Sequence, residues 1–230
     1  MKIGAPDFLN QLDAAVAEHA MLSHPFYQLW NEGRLSPEIL ANYAKQYFAQ
    51  VKAFPTYVSA VHSHCSDLSV RQMLLENLVE EERGQDNHPE LWLRFAEGLG
   101  VSREAVQSAD LLSHTTESVA QLTQLAQSEN YLEGMAALYA YESQIPEVAT
   151  TKRQGLKDFY GLEDDRSVAF FRVHEQADVA HRQVERQVLS AACTTEAQQA
   201  QVVAAAAAGA KALWHFLDGV YAAYVTPATV

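Results

Sequence analysis

Residues 167–192 read SVAFFRVHEQADVAHRQVERQVLSAA and carry the clearest helical pattern in the chain. Within them, His174, Asp178 and His181 follow one another at spacings of four and three residues. At 3.6 residues per turn, the three side chains project within roughly 60° of one another on one helix face. Phe170, one turn earlier on the same stripe, is apolar. The pattern therefore predicts a long helix with three potential metal ligands on an inward face.

This trio has two interpretations. Buried imidazole and carboxylate groups need partners, and a metal ion is the usual partner of such a cluster. The alternative is a solvated face held by ion pairs, because Glu175, Arg182 and Glu185 lie close by in the sequence. The spacing alone leaves both interpretations open.

Helical periodicity extends over nearly the whole chain, without a convincing alternating strand. Ser36 and Pro37 are typical of an N-cap followed by a first-turn proline, and they open a long helix in which Pro55 is an expected kink. Residues 129–159 are expected to form another long segment, with Pro146 in its middle. The pattern predicts an all-α fold, a bundle of seven to nine helices.

Composition and charge narrow the class of protein further. The 230 residues are 48% hydrophobic and 20% charged, which is typical of a folded globular protein, and we expect a single domain over residues 1–230. A formal net charge of −13 argues against holding nucleic acid or anionic lipid through phosphate contacts. Two cysteines give no disulfide framework, no secretory signal is evident, and no apolar run approaches the ~20 residues of a membrane span. We therefore expect a cytoplasmic protein that binds neither nucleic acid nor membrane.

A second candidate pair consists of Glu81 and His88, which are seven residues apart and so share one face of a regular helix. Glu80 and Glu82 compete as the acid, but each lies ~80–120° away from His88 on that helix. Pro89 weakens the geometric argument, because a proline distorts the helix at this point. The alternative is that three consecutive glutamates form a solvated face.

A third helix supplies Glu142, whose neighbours Leu138, Tyr139, Tyr141 and Ile145 indicate a carboxylate that does not face only water. By itself it could pair with a tyrosine or an arginine. Together, the three helices offer three carboxylates and three imidazoles: Glu81, His88, Glu142, His174, Asp178 and His181.

This inventory suits a pair of first-row metal ions. Carboxylates bridge and neutralise the cations, and histidine nitrogens suit iron or manganese with open positions for oxygen. A zinc hydrolase could use the same ligands, but hydrolysis does not need the tyrosines that surround them. The run of alanines at residues 202–210 is more simply a close helix-packing surface than a functional tract.

On these residues the chain resembles the haem-oxygenase-like di-metal oxidases, over residues 8–224. Within them it is most similar to the para-aminobenzoate synthase branch of the Chlamydia protein associating with death domains, which is related to pyrroloquinoline-quinone synthase C and to the thiaminase II fold. The metal pattern of that branch falls on all six residues of the inventory, whereas quinone-synthase members lack the complete set and use no metal. The resemblance implies an oxygenase with two metal ions, Fe/Fe or Mn/Fe, and no haem.

The resemblance also implies a reaction. The branch makes para-aminobenzoate for folate by consuming its own tyrosine as the ring source, with one of its own lysines as amino donor. The tyrosine matches Tyr27 in the motif HPFYQLW, and the lysine matches Lys152 in the motif ATTKR. Tyr43 and Tyr141 match aromatic positions near the metals, where they could relay an electron hole. Phe170 stands where some members carry a tyrosine, so a relay through that position is not expected here.

Molecular oxygen and an external reductant are the implied reactants, and a homodimer is the implied assembly. Taken alone, Lys152 is typical of a surface lysine. As a nitrogen nucleophile it must be neutral, and therefore desolvated or near cations. Two alternatives remain open: a di-metal oxidase that acts on an external small molecule, and a binding module in which the ligand cluster only adds stability.

Overall fold

The computed structural model describes the backbone of residues 5–226 and the side chains of residues 7–175 and 181–226. All regular structure in that part of the chain is helical, which confirms the all-α prediction. The α-helices are α1 (Ala5–Ala17), α2 (Pro25–Asn31), α3 (Pro37–His64), α4 (Leu68–Glu82), α5 (His88–Gly98), α6 (Arg103–Gln107), α7 (Ser113–Ala126), α8 (Tyr131–Glu142), α9 (Ile145–Tyr160), α10 (Ala169–Ala192) and α11 (Glu196–Val220).

Eleven α-helices in residues 5–226 exceed the seven to nine that were expected, partly because the segment at 129–159 is divided. Helix α8 ends at Glu142, and α9 begins at Ile145 with Pro146 in its first turn. Proline has no backbone N–H with which to continue α8 but fits the first turn of a new helix, so the chain restarts there. The expected long segment is therefore two helices.

Helix α3 starts where the sequence predicts, with the Ser36 hydroxyl accepting a hydrogen bond from the Ile39 backbone N–H at 3.2 Å. Its helical hydrogen bonding continues past Pro55 as far as His64. The buried face of α3 carries Tyr43 and Tyr47 into the middle of the bundle. This long helix therefore supplies one wall of the core.

The alanine-rich part of α11 packs closely against α8, as the sequence suggested. A methyl group on Gly209 would lie 3.2 Å from the Ala140 Cβ and 3.3 Å from the Ala137 Cα. Small residues on both helices allow this approach. The close contact fixes α8, which ends in Glu142, against α11, a helix of 25 residues. Within the described residues, no helix combines the length and apolar character needed to cross a membrane.

Candidate metal centre

Three of the predicted ligands meet in the core. Glu81 lies at the end of α4, His88 is the first residue of α5, and His174 lies in α10. All three are buried, and one ligand atom of each lies within 4.8 Å of the others. The Glu81 Oε1 atom is 2.7 Å from the His88 Nδ1 atom. The structure therefore brings together side chains from three helices at one point.

The proximity of Glu81 and His88 arises differently from the way the sequence suggested. They do not share a helix face, because α4 ends at Glu82 and α5 begins at His88. The turn between them is shaped by Gly84, whose φ of +84° favours glycine, and by Asn87. Asn87 caps α5 by accepting a hydrogen bond from the Glu90 backbone N–H at 3.0 Å. The pair was predicted correctly as a contact and incorrectly as a helical spacing.

Glu142 and His181 form the neighbouring part of the cluster. The His181 Nδ1 atom lies 3.0 Å from Glu142 Oε1, which also accepts a hydrogen bond from Asn77 Nδ2 at 2.9 Å. Glu142 is 2% exposed, and the partners of its Oε1 atom are this amide and this imidazole, where the sequence had left a tyrosine or an arginine open. The sixth predicted ligand, Asp178, falls in residues 176–180, whose side chains lie outside the described part of the chain.

The sequence left two interpretations of α10 open, an inward face of metal ligands and a solvated face held by ion pairs. The helix has both. His174 faces the core and its Nδ1 atom lies 2.6 Å from the Phe170 backbone carbonyl. That bond places the proton on Nδ1 and the lone pair on Nε2, the arrangement usual for a metal-binding histidine. Glu175 forms an ion pair with Arg153, and Arg182 hydrogen-bonds the Ser143 carbonyl. The helix therefore has ion pairs along one side and imidazoles on the other.

Burial sets the charge state of these groups. Burial, and then the nearby Glu142 carboxylate, raise the pKa of Glu81 well above its ordinary value. Burial lowers the pKa of His88 to about 4, which keeps the imidazole neutral at pH 7. Burial also opposes ionisation of Glu142, but hydrogen bonds with His181 and Asn77 outweigh it and lower the pKa of Glu142. Two close carboxylates and neutral imidazoles favour a cation.

The donor set also fits a metal in its geometry. His88 Nδ1 lies close to Glu81 Oε1 but makes no aligned hydrogen bond with it, so the two atoms are placed as two ligands of one ion would be. Glu142 Oε2 is buried and has no hydrogen-bond donor. Buried polar atoms without partners are rare in folded proteins. Carboxylate and imidazole donors together suit iron and manganese.

A small cavity of about 30 Å³ joins this cluster to an aromatic region. Metal-ligand candidates Glu81, His88, Glu142 and His174 line one part of it, and Lys152 lines another. The remaining lining residues are Tyr47, Val51, Phe54, Tyr141, Ile145, Val148, Ala149, Phe170 and Phe171.

Lys152 is buried in the aromatic region and is not a surface residue. It is 3% exposed, and its Nζ atom lies 4.4 Å from the centroid of the Tyr27 ring. Nζ also donates a hydrogen bond to Tyr43 Oη at 2.6 Å. Burial lowers the pKa of Lys152 well below its ordinary value and so favours the neutral amine.

The tyrosines named in the sequence lie along one path. Tyr27 and Tyr43 share a hydrogen bond of 2.9 Å between their hydroxyl oxygens. Tyr43 stacks on Tyr47, with ring centroids 5.5 Å apart, and Tyr141 donates a hydrogen bond to the Tyr47 hydroxyl at 2.9 Å. Burial raises the pKa of Tyr27, Tyr43 and Tyr141 well above the ordinary value, so these hydroxyls stay protonated.

Sequence reasoning missed three residues of this region. Tyr47 connects Tyr43 to Tyr141, and its spacing of four residues from Tyr43 on one helix was a signal that could have identified it. Asn77 orients Glu142, and Glu185 is buried one turn after His181. Nothing in the sequence distinguishes these last two from ordinary surface polar residues.

Comparison with known proteins agrees with this geometry. Residues 41–214 match the family described as iron-containing redox enzyme. The chain is 42% identical to the 4-aminobenzoate synthase of Nitrosomonas europaea, covering 94% of this chain and 92% of the relative. It is 40% identical to the 4-aminobenzoate synthase of Chlamydia muridarum, covering 97% and 92%. A pyrroloquinoline-quinone synthase of Acinetobacter baumannii is more distant, at 27%.

The fold is also that of a solved structure. A protein from Shewanella denitrificans with a heme oxygenase-like fold superposes with a TM-score of 0.80 at 19% identity, covering 96% of this chain and 94% of that one. The sequence matches extend over most of the chain and include the ligand cluster, and the structural match gives the same helical arrangement. The chain therefore belongs to the iron-containing redox enzymes of the haem-oxygenase-like fold, in the family that includes the 4-aminobenzoate synthases, and is an oxidoreductase.

Proposed function

We propose that this chain makes 4-aminobenzoate from its own Tyr27 side chain, with Lys152 as the source of nitrogen. The observation that carries the proposal is the position of the buried Lys152 amine, 4.4 Å above the Tyr27 ring and on the same cavity as the metal-ligand candidates. Relatives at 42% and 40% identity carry the name of this activity.

The metal ligands would be divided between two positions. Glu81, His88 and His174 would hold one ion, and Glu142 and His181, together with Asp178, would hold the second. When bound, two irons, or one iron and one manganese, would supply activation of molecular oxygen with electrons from an external reductant. The hydrogen bond from His174 to the Phe170 carbonyl and that from Asn77 to Glu142 fix the orientation of their ligands.

Lys152 would act as a nucleophile because its burial favours the neutral amine. A protonated amine has no lone pair, and burial among aromatic rings disfavours the proton. The hydrogen bond to Tyr43 holds the amine in place beside the Tyr27 ring. The new bond between Lys152 Nζ and the ring carbon replaces the Tyr27 hydroxyl, which leaves as water. Two-electron oxidation of the Nζ–Cε bond to an imine, with oxygen as the oxidant, and hydrolysis by that water then leave the nitrogen on the product and an aldehyde at Cε.

Tyr27 contributes the ring and Cβ to the product. The bond between its Cα and Cβ breaks, Cα takes up a hydrogen and so becomes that of a glycine residue, and Cβ is oxidised by four electrons to the product carboxylate, with oxygen as the oxidant. Tyr27 is 1% exposed and its hydroxyl is held by Tyr43, so water is excluded and the ring cannot rotate away. Tyr43, Tyr47 and Tyr141 form a continuous line of phenols through which an electron hole can pass.

Phe170 keeps the packing beside the metal ligands without taking part in that line. Its ring lies 4.2 Å from the His174 ring and 4.8 Å from the Trp92 ring, measured between centroids. A phenylalanine has no oxidisable hydroxyl. The electron path would therefore run through Tyr141 on the other side of the cavity.

The cavity itself favours an internal substrate over an external one. Its volume of about 30 Å³ corresponds to about two water molecules, enough for dioxygen but too small for an added aromatic or fatty acid. The nearest oxidisable ring is already in place as a side chain. This contrast is what separates the proposal from a di-metal oxidase acting on an external small molecule.

The test uses purified protein loaded with ferrous iron, with or without manganese, then given reductant and oxygen. Wild type should release 4-aminobenzoate and lose the corresponding mass from Tyr27, as read by peptide mass spectrometry. Tyr27→Phe should release none, whereas Tyr57→Phe, which removes a buried hydroxyl bonded to the Val119 carbonyl, should behave as wild type. Equal product from Tyr27→Phe and wild type would overturn the proposal, as would repeated turnover of an added substrate at unchanged protein mass.

The proposal also includes the cellular compartment, the domain organisation and the oligomeric state. We place the activity in the cytoplasm, where two free cysteines stay reduced, and in one domain formed by the whole chain. A homodimer is the proposed assembly, which light scattering would test. Neither nucleic acid nor membrane is a proposed partner, given the net charge of −13.

A further inference from the structure

A second cavity reaches the metal-ligand candidates from a different part of the protein. It has a volume of about 280 Å³ and lies between α4, α8 and α10. It shares no lining residue with the cavity of about 30 Å³ beside Lys152, which we call the aromatic cavity. Its polar lining consists of Glu76, Asn77, Glu80, His181 and Glu185, and its described lining includes neither lysine nor arginine. We call it the acidic cavity.

Glu80 connects solvent to a candidate ligand. Its side chain is 51% exposed, yet its Oε2 atom lies 3.2 Å from His181 Nε2. The other ring nitrogen of His181 faces Glu142. The imidazole therefore lies between an exposed carboxylate and a buried one, so an ion held by Glu80 would already be next to His181.

Asn77 gives a second observation on the wall of the same cavity. It is 5% exposed, and its Nδ2 atom donates to Glu142, but its Oδ1 atom is buried without a hydrogen-bond partner. A buried amide oxygen without a donor is an uncompensated partial negative charge. Amide and carboxylate oxygens together are ligands for hard divalent cations.

A second exposed carboxylate lines the same cavity, since Glu76 lies one turn before Glu80 on α4. The buried Glu185 lies one turn after His181 on α10. A hydrated cation is attracted by such a potential. Apart from the metal-ligand candidates themselves, the aromatic cavity offers it a desolvated amine, phenols and apolar side chains. The two routes to the cluster therefore differ in which ligand they admit.

We propose that the acidic cavity is a transit site for divalent first-row cations, in which Glu80 takes the ion from solvent and passes it to His181 and Glu142. Asn77 Oδ1 would serve as an intermediate oxygen ligand along the way. The inference rests on the metal centre proposed above and does not depend on the reaction proposed for it. Glu80 is accordingly a residue of metal uptake and is not a permanent ligand.

The test follows uptake of Co(II) alone by the full-length chain after metal removal with a chelator, using the visible absorption of bound Co(II) in a stopped-flow instrument. Glu80→Gln should slow uptake by at least about tenfold, because it removes the charge that attracts the ion. The number of ions bound at saturation should equal that of wild type. Glu82→Gln removes the same charge from an exposed neighbour outside the cavity and should take up Co(II) as fast as wild type.

A second variant blocks the acidic cavity sterically and leaves its charge unchanged. Val184 is half-buried in the wall of the acidic cavity, and Val184→Trp should slow uptake without changing any carboxylate. Uptake at the wild-type rate in both Glu80→Gln and Val184→Trp overturns the proposal. Loss of bound Co(II) at saturation in Glu80→Gln also overturns it, since Glu80 would then be a permanent ligand. Failure of wild type to bind Co(II) would instead remove the metal centre itself.

Discussion

The two cavities that reach the metal-ligand candidates differ in size and in chemistry. The aromatic cavity measures about 30 Å³ and contains Lys152 and phenol side chains. The acidic cavity measures about 280 Å³ and contains four groups with carboxylate or amide oxygens, from Glu76, Asn77, Glu80 and Glu185. His181 lines only the second and His174 only the first. The candidate ligands His174 and His181 are therefore reached through cavities of different chemistry, the first aromatic and the second acidic.

The difference bears on the two roles proposed above, Lys152 as the nucleophile and Glu80 in cation uptake. Burial lowers the pKa of Lys152 and so favours its neutral form. A carboxylate placed beside it would favour the charged amine and raise its pKa again. The negative groups suited to attracting cations would thus inactivate the nucleophile. Separation in space allows one helical shell to contain both.

Replacing Lys152 is expected to have the largest effect on the aromatic side. Lys152→Met keeps the volume but removes the nitrogen, so 4-aminobenzoate should fall to the detection limit in a single-turnover assay by liquid chromatography. Uptake of Co(II) should stay at the wild-type rate, because the acidic cavity is unchanged. Slower uptake of Co(II) in this variant would contradict the claim that Lys152 has no part in metal uptake.

The same variant gives a pH test with a defined sign. Burial lowers the folded-state pKa of Lys152, so the unfolded chain binds one more proton between that lowered pKa and about 10.4. The stability of wild type should therefore rise with pH over this window, relative to Lys152→Met, with a slope of at most about 1.4 kcal/mol per pH unit. Denaturant unfolding of both proteins between pH 7 and 10 measures it, and parallel curves would show that the amine is charged in the fold.

Replacing Glu81 tests the cluster that both cavities reach. Saturating Mn(II), at about 100 times its Kd, should stabilise wild type by about 2.7 kcal/mol. Glu81→Gln should lose most of that gain and bind fewer ions by elemental analysis, because one charged ligand is gone. Glu82→Gln, one residue further along and exposed, is the matched control. Equal stabilisation of both variants by Mn(II) would remove Glu81 from the metal centre.

Replacing Tyr47 tests whether the phenols beside the aromatic cavity carry an electron hole. Tyr47→Phe removes the acceptor of the hydrogen bond from Tyr141 and an oxidisable phenol between Tyr43 and Tyr141. We expect 4-aminobenzoate formation to slow by about tenfold, which corresponds to about 1.4 kcal/mol in activation free energy. Metal content should not change. A rate equal to that of Tyr57→Phe would show that the line of phenols is packing alone.

Replacing His24 is expected to have the smallest effect, a change in how Tm depends on pH. It caps α2, the helix that carries Tyr27, by accepting a hydrogen bond from the Phe26 backbone N–H at its Nδ1 atom, 3.0 Å away. Burial lowers the pKa of His24, so as pH falls below about 6.5 the unfolded chain takes up a proton before the folded one does, and stability decreases. His24→Asn keeps a capping side chain but removes this titration. The difference in Tm between the two proteins should therefore shrink from pH 7 to pH 5; a constant difference would contradict it.

Local pattern was sufficient for the fold class and for the inward face of α10. The spacing of His174 and His181 is fixed by helix geometry, which sequence reveals directly. The contact between Glu81 and His88 needed a turn around Gly84 that periodicity does not describe. Glu80 was rejected as a partner of His88, correctly, but its contact with His181 joins two helices distant in sequence. Contacts of that kind depend on packing and have no local signal.

The burial of Lys152 illustrates the same limit. Its neighbours in sequence, Thr151 and Arg153, are polar, and nothing in that motif indicates a buried amine. The environment comes instead from Tyr27 on α2 and Tyr43 on α3. Only the resemblance to a family singled out this lysine, and the structure supplies the physical reason that it can be neutral.

Tyr27 is enclosed by Phe26, Trp30, Tyr43 and Lys152, so the ring is also a structural part of the protein's interior. If the ring departs as product, as proposed above, the spent chain would keep a hole of that size. Loss of a large buried aromatic side chain destabilises a protein by about 3–5 kcal/mol, out of a total of about 5–15 kcal/mol. A used molecule would thus unfold more readily than a fresh one and become a better substrate for cellular proteases, so that the event ending its working life also marks it for recycling.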